Sequence, residues 1–149
     1  MEPLCVKVKF LDEKLKGKLR YATELSVGLD LVAAIDKEIL IEPGKNVLIG
    51  TGIAIEILSK DIAGFVFSRS GLGIKEGLVV TQGVGVIDPD YRGEIKVSLL
   101  NISQSVKKIY PGDRIAQLIF MPAYQARLIE TSHLSPTKRG KGGFGHTGK

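Results

Sequence analysis

Short runs rich in Val, Ile and Phe alternate with turn residues through most of this chain. Val6-Lys7-Val8-Lys9-Phe10 and Glu94 to Leu100 alternate apolar and polar positions, the period at which a strand presents one face to a core. In the second run Ile95, Val97 and Leu99 share one face, and Glu94, Lys96 and Ser98 the other. Further strands are expected at 39–41, 47–49, 53–57, 65–67, 77–80, 106–109 and 114–120. Between them stand turn signals: Pro43-Gly44, Asp61, Asp88-Pro89-Asp90 and Pro111-Gly112. Asp and Asn bond nearby backbone, Pro presets φ, and Gly admits positive φ, so each breaks a strand for its own reason. Many short strands at such spacing predict an all-β sandwich or barrel. No segment carries a helical period except one turn near Ser70, and no internal repeat stands out.

The pattern stops after Glu130. From Thr131 to Lys149 the chain holds five glycines and Phe144 as its one large aromatic. Residues 1–130 therefore read as the folded domain and 131–149 as a flexible arm. The arm has four basic and no acidic residues, so it holds four of the five net positive charges. A basic arm suits a polyanion, and glycine amides can wrap phosphate. The body has no basic stripe interleaved with aromatics, which argues against nucleic acid as partner.

A length of 149 residues with 44% hydrophobic and 25% charged positions fits one soluble domain. The single Cys5 cannot close an intrachain disulfide, and no apolar run approaches membrane-span length. These features predict a cytoplasmic protein without a membrane partner.

Candidate chemistry sits at four places in the body. Gly85 to Glu94 reads as a tight turn with two carboxylates, Asp88 and Asp90, a rigid proline and Tyr91. A carboxylate held on such a turn stays near a substrate. Ser68 to Gly73 offers an arginine fork, hydroxyls and glycine amides for an anion. Asp30, set among Gly28, Leu29 and Leu31, is expected to be partly buried and paired with Arg69 or Arg114. Gln117, within the apolar run from Ile115 to Phe120, needs partners in the core or a ligand.

Taken in order, these stretches resemble the five motifs of the trimeric deoxyuridine triphosphatase (dUTPase) family over nearly the whole chain. The first is Ser26 to Leu31, the second Arg69-Ser70-Gly71, and the third Gly85 to Glu94. The fourth is Gly112 to Leu118 and the fifth Arg139 to Gly148. The resemblance implies a jelly-roll subunit, a homotrimer and active sites shared between subunits, with dUTP hydrolysed to dUMP and pyrophosphate. It implies Asp88 as the base that activates water and Gln117 beside the α-phosphate. Arg69, Ser70 and Gly71 would hold phosphates, and Tyr91 would pack on the deoxyribose. Gln82, Gly85 and Ile87 would meet the nucleoside, while Asp30 and Arg114 give structural support. In the arm, Arg139 and Phe144 would close over the base, and Gly145, His146 and Thr147 would meet the terminal phosphates. Mg²⁺ would be held mainly by substrate phosphates and water, with no direct protein ligand.

Four positions depart from the family's usual residues: Val27 for Ala or Ser, Gly73 for Ala, Gln82 for Asn and His146 for Ser. His146 would still donate to a terminal phosphate, more strongly when protonated. The alternatives are a dCTP deaminase of the same fold, a non-catalytic nucleotide-binding regulator, and a polyanion-binding β-module. The deaminase reading lacks its glutamate, since Ser98 stands at that position.

Overall fold

Alternation places half of each strand inward, and the computed structural model, which describes residues 4–148, gathers those halves into one core. The strands are β1 (Val6–Phe10), β2 (Leu29–Val32), β3 (Ile39–Ile41), β4 (Asn46–Gly50), β5 (Ile53–Ile57) and β6 (Ile62–Phe67). They continue as β7 (Leu78–Val80), β8 (Val84–Ile87), β9 (Lys96–Asn101), β10 (Lys107–Ile109) and β11 (Arg114–Pro122). All pairings are antiparallel: β2-β11-β6-β8, β4-β9-β7, β1-β5 and β3-β10. The all-β expectation holds. Ile95, Val97 and Leu99 are buried as their spacing requires, together with Leu31, Ile115 and Leu118. The expected helical turn near Ser70 is present over Leu72–Glu76.

One expectation changes. Gly85 to Glu94 is not a single turn joining the strand at Leu78–Val80 to that at Lys96–Asn101. After a turn closed by the Gly83 N–H donating to the Val80 carbonyl, 3.0 Å, Val84–Ile87 forms β8. This strand pairs with β6, whereas β7 and β9 pair with each other in a different sheet. The turn after Ile87 therefore bridges two sheets. β8 is an edge strand with Val84 and Val86 exposed, so its pattern lacks the inward apolar face that marks its neighbours.

Beyond Pro122 the chain leaves the sheets. Tyr124, Leu128, Ile129 and Leu134 are all more than four-fifths exposed. From Thr137 onward the arm coils through successive turns whose bonds stay local, such as Gly142 N–H to the Arg139 carbonyl, 3.0 Å, and His146 N–H to the Gly143 carbonyl, 3.0 Å. Lys149, the last of its basic residues, lies outside the described residues. Among the described residues no helix is long and apolar enough to cross a membrane.

Candidate active site

Two clefts divide the candidate residues. The first, about 230 Å³, opens where β8 ends and is lined by Gln82, Gly85, Ile87, Asp88, Tyr91 and Glu94 over Val66, Val80 and Val97. Its shape depends on the turn after Ile87. The Tyr91 N–H donates to the Asp88 carbonyl, 3.1 Å, and Arg92 Nη1 donates to the Pro89 carbonyl, 2.7 Å. The Tyr91 hydroxyl donates to the Glu94 carbonyl, 2.8 Å. Asp-Pro-Asp sequences usually close turns with their own carboxylates. Here an arginine and backbone amides do that work, and neither Asp88 nor Asp90 makes a side-chain hydrogen bond or ion pair among the described residues. The Asp88 carboxylate is exposed, faces the first cleft, and is available to a water molecule.

The second cleft, about 300 Å³, is lined by Ser26, Gly28, Asp30, Arg69, Ser70, Gly71 and Gln117. Asp30 is paired as expected, but with both arginines. Arg69 Nε donates to Oδ1 at 2.9 Å, and Arg114 Nη1 donates to Oδ2 at 3.2 Å. With 16% of its side chain exposed, Asp30 is screened from water far better than a surface ion pair. Arg69 also donates from Nη1 to the Arg114 carbonyl, 3.4 Å. Much of its fork is thus spent on shaping the cleft wall, while Ser70 and Gly71 stand exposed at the rim. Gln117 Nε2 donates to the Ser68 carbonyl, 3.0 Å, and its Oε1 rests against Gly28, where a side chain would collide with it.

Ser68 is the connector that the motif pattern did not single out. Its hydroxyl accepts from the Val80 N–H at 2.8 Å while its carbonyl holds Gln117, so β7, β6 and β11 meet at one residue. Lys96 also lines the first cleft, and only its polar-face position in the alternation of β9 hinted at that. Ser98, where the deaminase reading requires a glutamate, is engaged with Thr81 Oγ1 at 2.7 Å and Asn46 Nδ2 at 3.1 Å.

Within one chain the two clefts stay apart. Ile87 lies opposite Gly64, and Gln117 lies opposite Phe67 on the other side of β6. Three residues along and two strand spacings across amount to about 14 Å. The arm lines neither cleft. Phe144 is fully exposed, Arg139 Nε donates to the Gly142 carbonyl at 2.9 Å, and the His146 ring lies over Gly142. Gly145 and Thr147 sit in the exposed turns around it. Among the described residues no three His, Cys, Asp or Glu side chains group to hold a metal ion.

Comparison with known proteins identifies the family. The dUTPase family model matches residues 17–148. The chain is 48% identical to the deoxyuridine 5'-triphosphate nucleotidohydrolase of Idiomarina loihiensis over 147 residues, covering 97% of both chains. It is 47% identical to the enzyme of the same name from Acinetobacter baumannii, covering 97% of this chain and 98% of that one. In fold it is similar to the dUTPase of Staphylococcus bacteriophage 80alpha solved with dUpNHpp, with TM-score 0.86, 24% identity and coverage of 97% and 99%. A dUTPase mutant from phage phi11 of S. aureus, described with a structural Mg(II) ion, aligns with TM-score 0.78 and 22% identity over 89% of this chain and 99% of that one. On the family match and the near-full-length identity to these nucleotidohydrolases, the chain belongs to the dUTPase family.

Proposed function

We propose that this protein hydrolyses dUTP to dUMP and pyrophosphate, with Asp88 as the base that activates the attacking water. The observation that carries the assignment of Asp88 is its free, cleft-facing carboxylate on a turn closed by other groups. A base must lie within hydrogen-bond reach of the water it deprotonates and must not be spent elsewhere. Tyr91, fixed by its hydroxyl to the Glu94 carbonyl, presents its ring to the sugar and leaves no room for a 2′-hydroxyl. Ser70 and Gly71, at the open rim of the second cleft, hold phosphate oxygens. Arg69 and Arg114 supply positive potential there while Asp30 keeps them in place.

In the same reading Gln117 orients the attacking water near the α-phosphate. Asp88 and Gln117 cannot both reach one water within a single chain, since about 14 Å of sheet separates Ile87 from Gln117. The site is therefore completed by other copies in a homotrimer, and the exposed arm with Phe144, His146 and Thr147 closes over a neighbour's nucleotide. The donors fit a magnesium ion carried by the substrate, since Asp30 is taken by two arginines and Asp88 is free for water. When bound with the substrate, such an ion would supply positive charge to the triphosphate.

Pyrophosphate release from dUTP, dTTP, dCTP and UTP tests the activity, with dUTP expected to be far the fastest. Equal rates on all four would remove the specificity claim. Mixing Asp88→Asn protein with protein truncated after Thr137 tests the sharing. Mixed trimers should regain activity that neither parent has, and no recovery after exchange would place the whole site in one chain.

A further inference from the structure

Glu94 reads in the sequence as a polar-face residue at the start of a strand, with nothing to distinguish it from a solvated carboxylate. Its carboxylate instead reaches across to the bend between β4 and β5. Oε1 accepts from the Gly52 N–H at 3.0 Å and packs against the open side of Gly50. A Cβ on Gly50 would stand 2.5 Å from that oxygen, so only glycine leaves the space. Gly52 has φ +68, a conformation that turns its N–H toward the carboxylate and that L side chains rarely adopt. The next peptide is held to the same bend. The Ile95 carbonyl accepts from the Thr51 N–H at 3.1 Å and the Thr51 hydroxyl at 2.6 Å, and the Ile95 N–H donates to the Ile53 carbonyl at 2.9 Å.

The other side of Glu94 faces the nucleoside cleft. Its carbonyl accepts the Tyr91 hydroxyl, and the hydroxyl end of the Tyr91 ring lies against Gly93, where a side chain would collide with it. The phenol therefore takes its position from the Glu94 backbone, and that backbone takes its position from the carboxylate's grip on the bend.

We propose that Glu94 is the positioning residue that holds the Tyr91 ring at the distance needed to discriminate deoxyribose from ribose. The inference rests on the reading of Tyr91 as the sugar gate. Glu94 touches no reacting atom; it acts through Tyr91. A bend anchored by a charge-assisted hydrogen bond holds a neighbouring ring more tightly than one anchored by backbone bonds alone.

The readout is the ratio of kcat/KM for dUTP to that for UTP, which a loss of general stability would not move. In Glu94→Ala the ratio should fall by about tenfold, the effect of losing one charge-assisted hydrogen bond. Glu94→Gln keeps an oxygen acceptor for the Gly52 N–H and should recover most of the selectivity. If Glu94→Ala does not fold, Glu94→Asp, one methylene too short to reach Gly52, takes its place with the same expected loss. Tyr91→Ala separates the two levels. A ratio unchanged in Tyr91→Ala overturns the sugar gate, and the Glu94 inference with it. A ratio that falls in Tyr91→Ala but is unchanged in the folded Glu94 variants overturns the Glu94 inference alone.

Discussion

The turn from Asp88 to Glu94 and the arm from Thr131 onward are both irregular chain, yet they are held in opposite ways. The turn is stitched to itself by Tyr91 and Arg92 and to the β4–β5 bend by Glu94 and Ile95. The bonds of the arm from Thr137 onward run within the arm, and its one large apolar side chain, Phe144, is fully exposed. On the proposed function the contrast separates two tasks. Groups that must be in place before substrate arrives are built on anchored backbone, because misplacement of about 1 Å can cost roughly 10²-fold in rate. Groups that must let substrate in and then exclude water need chain that is ordered only by binding.

The largest break in this comparison is expected from Asp88→Asn. It should lower kcat by about 10²–10⁴-fold while dUTP still binds, as measured by single-turnover kinetics and calorimetry. A near-normal rate would mean that the wrong carboxylate has been named. Removing residues 138–149 should come next, lowering kcat by about 10²-fold through lost positioning and water exclusion. The same truncation should move Tm by less than about 2 °C, because among the described residues the hydrogen bonds of this stretch stay within it. A large drop in Tm would show that the arm belongs to the folded unit.

Gly52→Ala attacks the anchored side through stability. The new Cβ would sit 2.6 Å from Leu15 Cδ1 and 2.9 Å from the Ala34 Cβ, on backbone at φ +68. A loss of about 1–3 kcal/mol is expected in denaturant titration. An unchanged midpoint would mean that the bend relaxes freely and cannot anchor Glu94. The smallest effect is expected from Phe144→Ala. Tm should hold, since the side chain is fully exposed on its own chain, while KM for dUTP rises by about three- to tenfold through lost stacking. A fall in Tm without a change in KM would reverse the roles assigned to the arm.

Much of this was legible in the chain. Period-two alternation at Val6–Phe10 and Glu94–Leu100 depends only on which side of a pleated strand is dry, so it survives without knowledge of neighbours. The exposure of the glycine-rich stretch after Thr137 was legible for the opposite reason: glycine and charge supply little to pack. The Asp30 pairing was legible in part, since a carboxylate among apolar residues must find a cation, but its sharing between Arg69 and Arg114 was not.

What escaped depended on distant partners. β8 could not be read as a strand of its own because an edge strand needs no apolar face, and only its pairing with β6 defines it. Glu94 looked solvated because its partner is the N–H of Gly52, 42 residues earlier, on a bend that ordinary turn residues would also have produced. The sequence by itself determined the strand class and the order of the motifs, both of which follow from local periodicity and composition. The tertiary structure alone decided that Asp88 is left without a side-chain partner among the described residues, and that Glu94 is bound rather than solvated. It also set Ile87 and Gln117 about 14 Å apart across β6, because sheet register and long-range hydrogen bonds set distances that no stretch of neighbouring residues encodes.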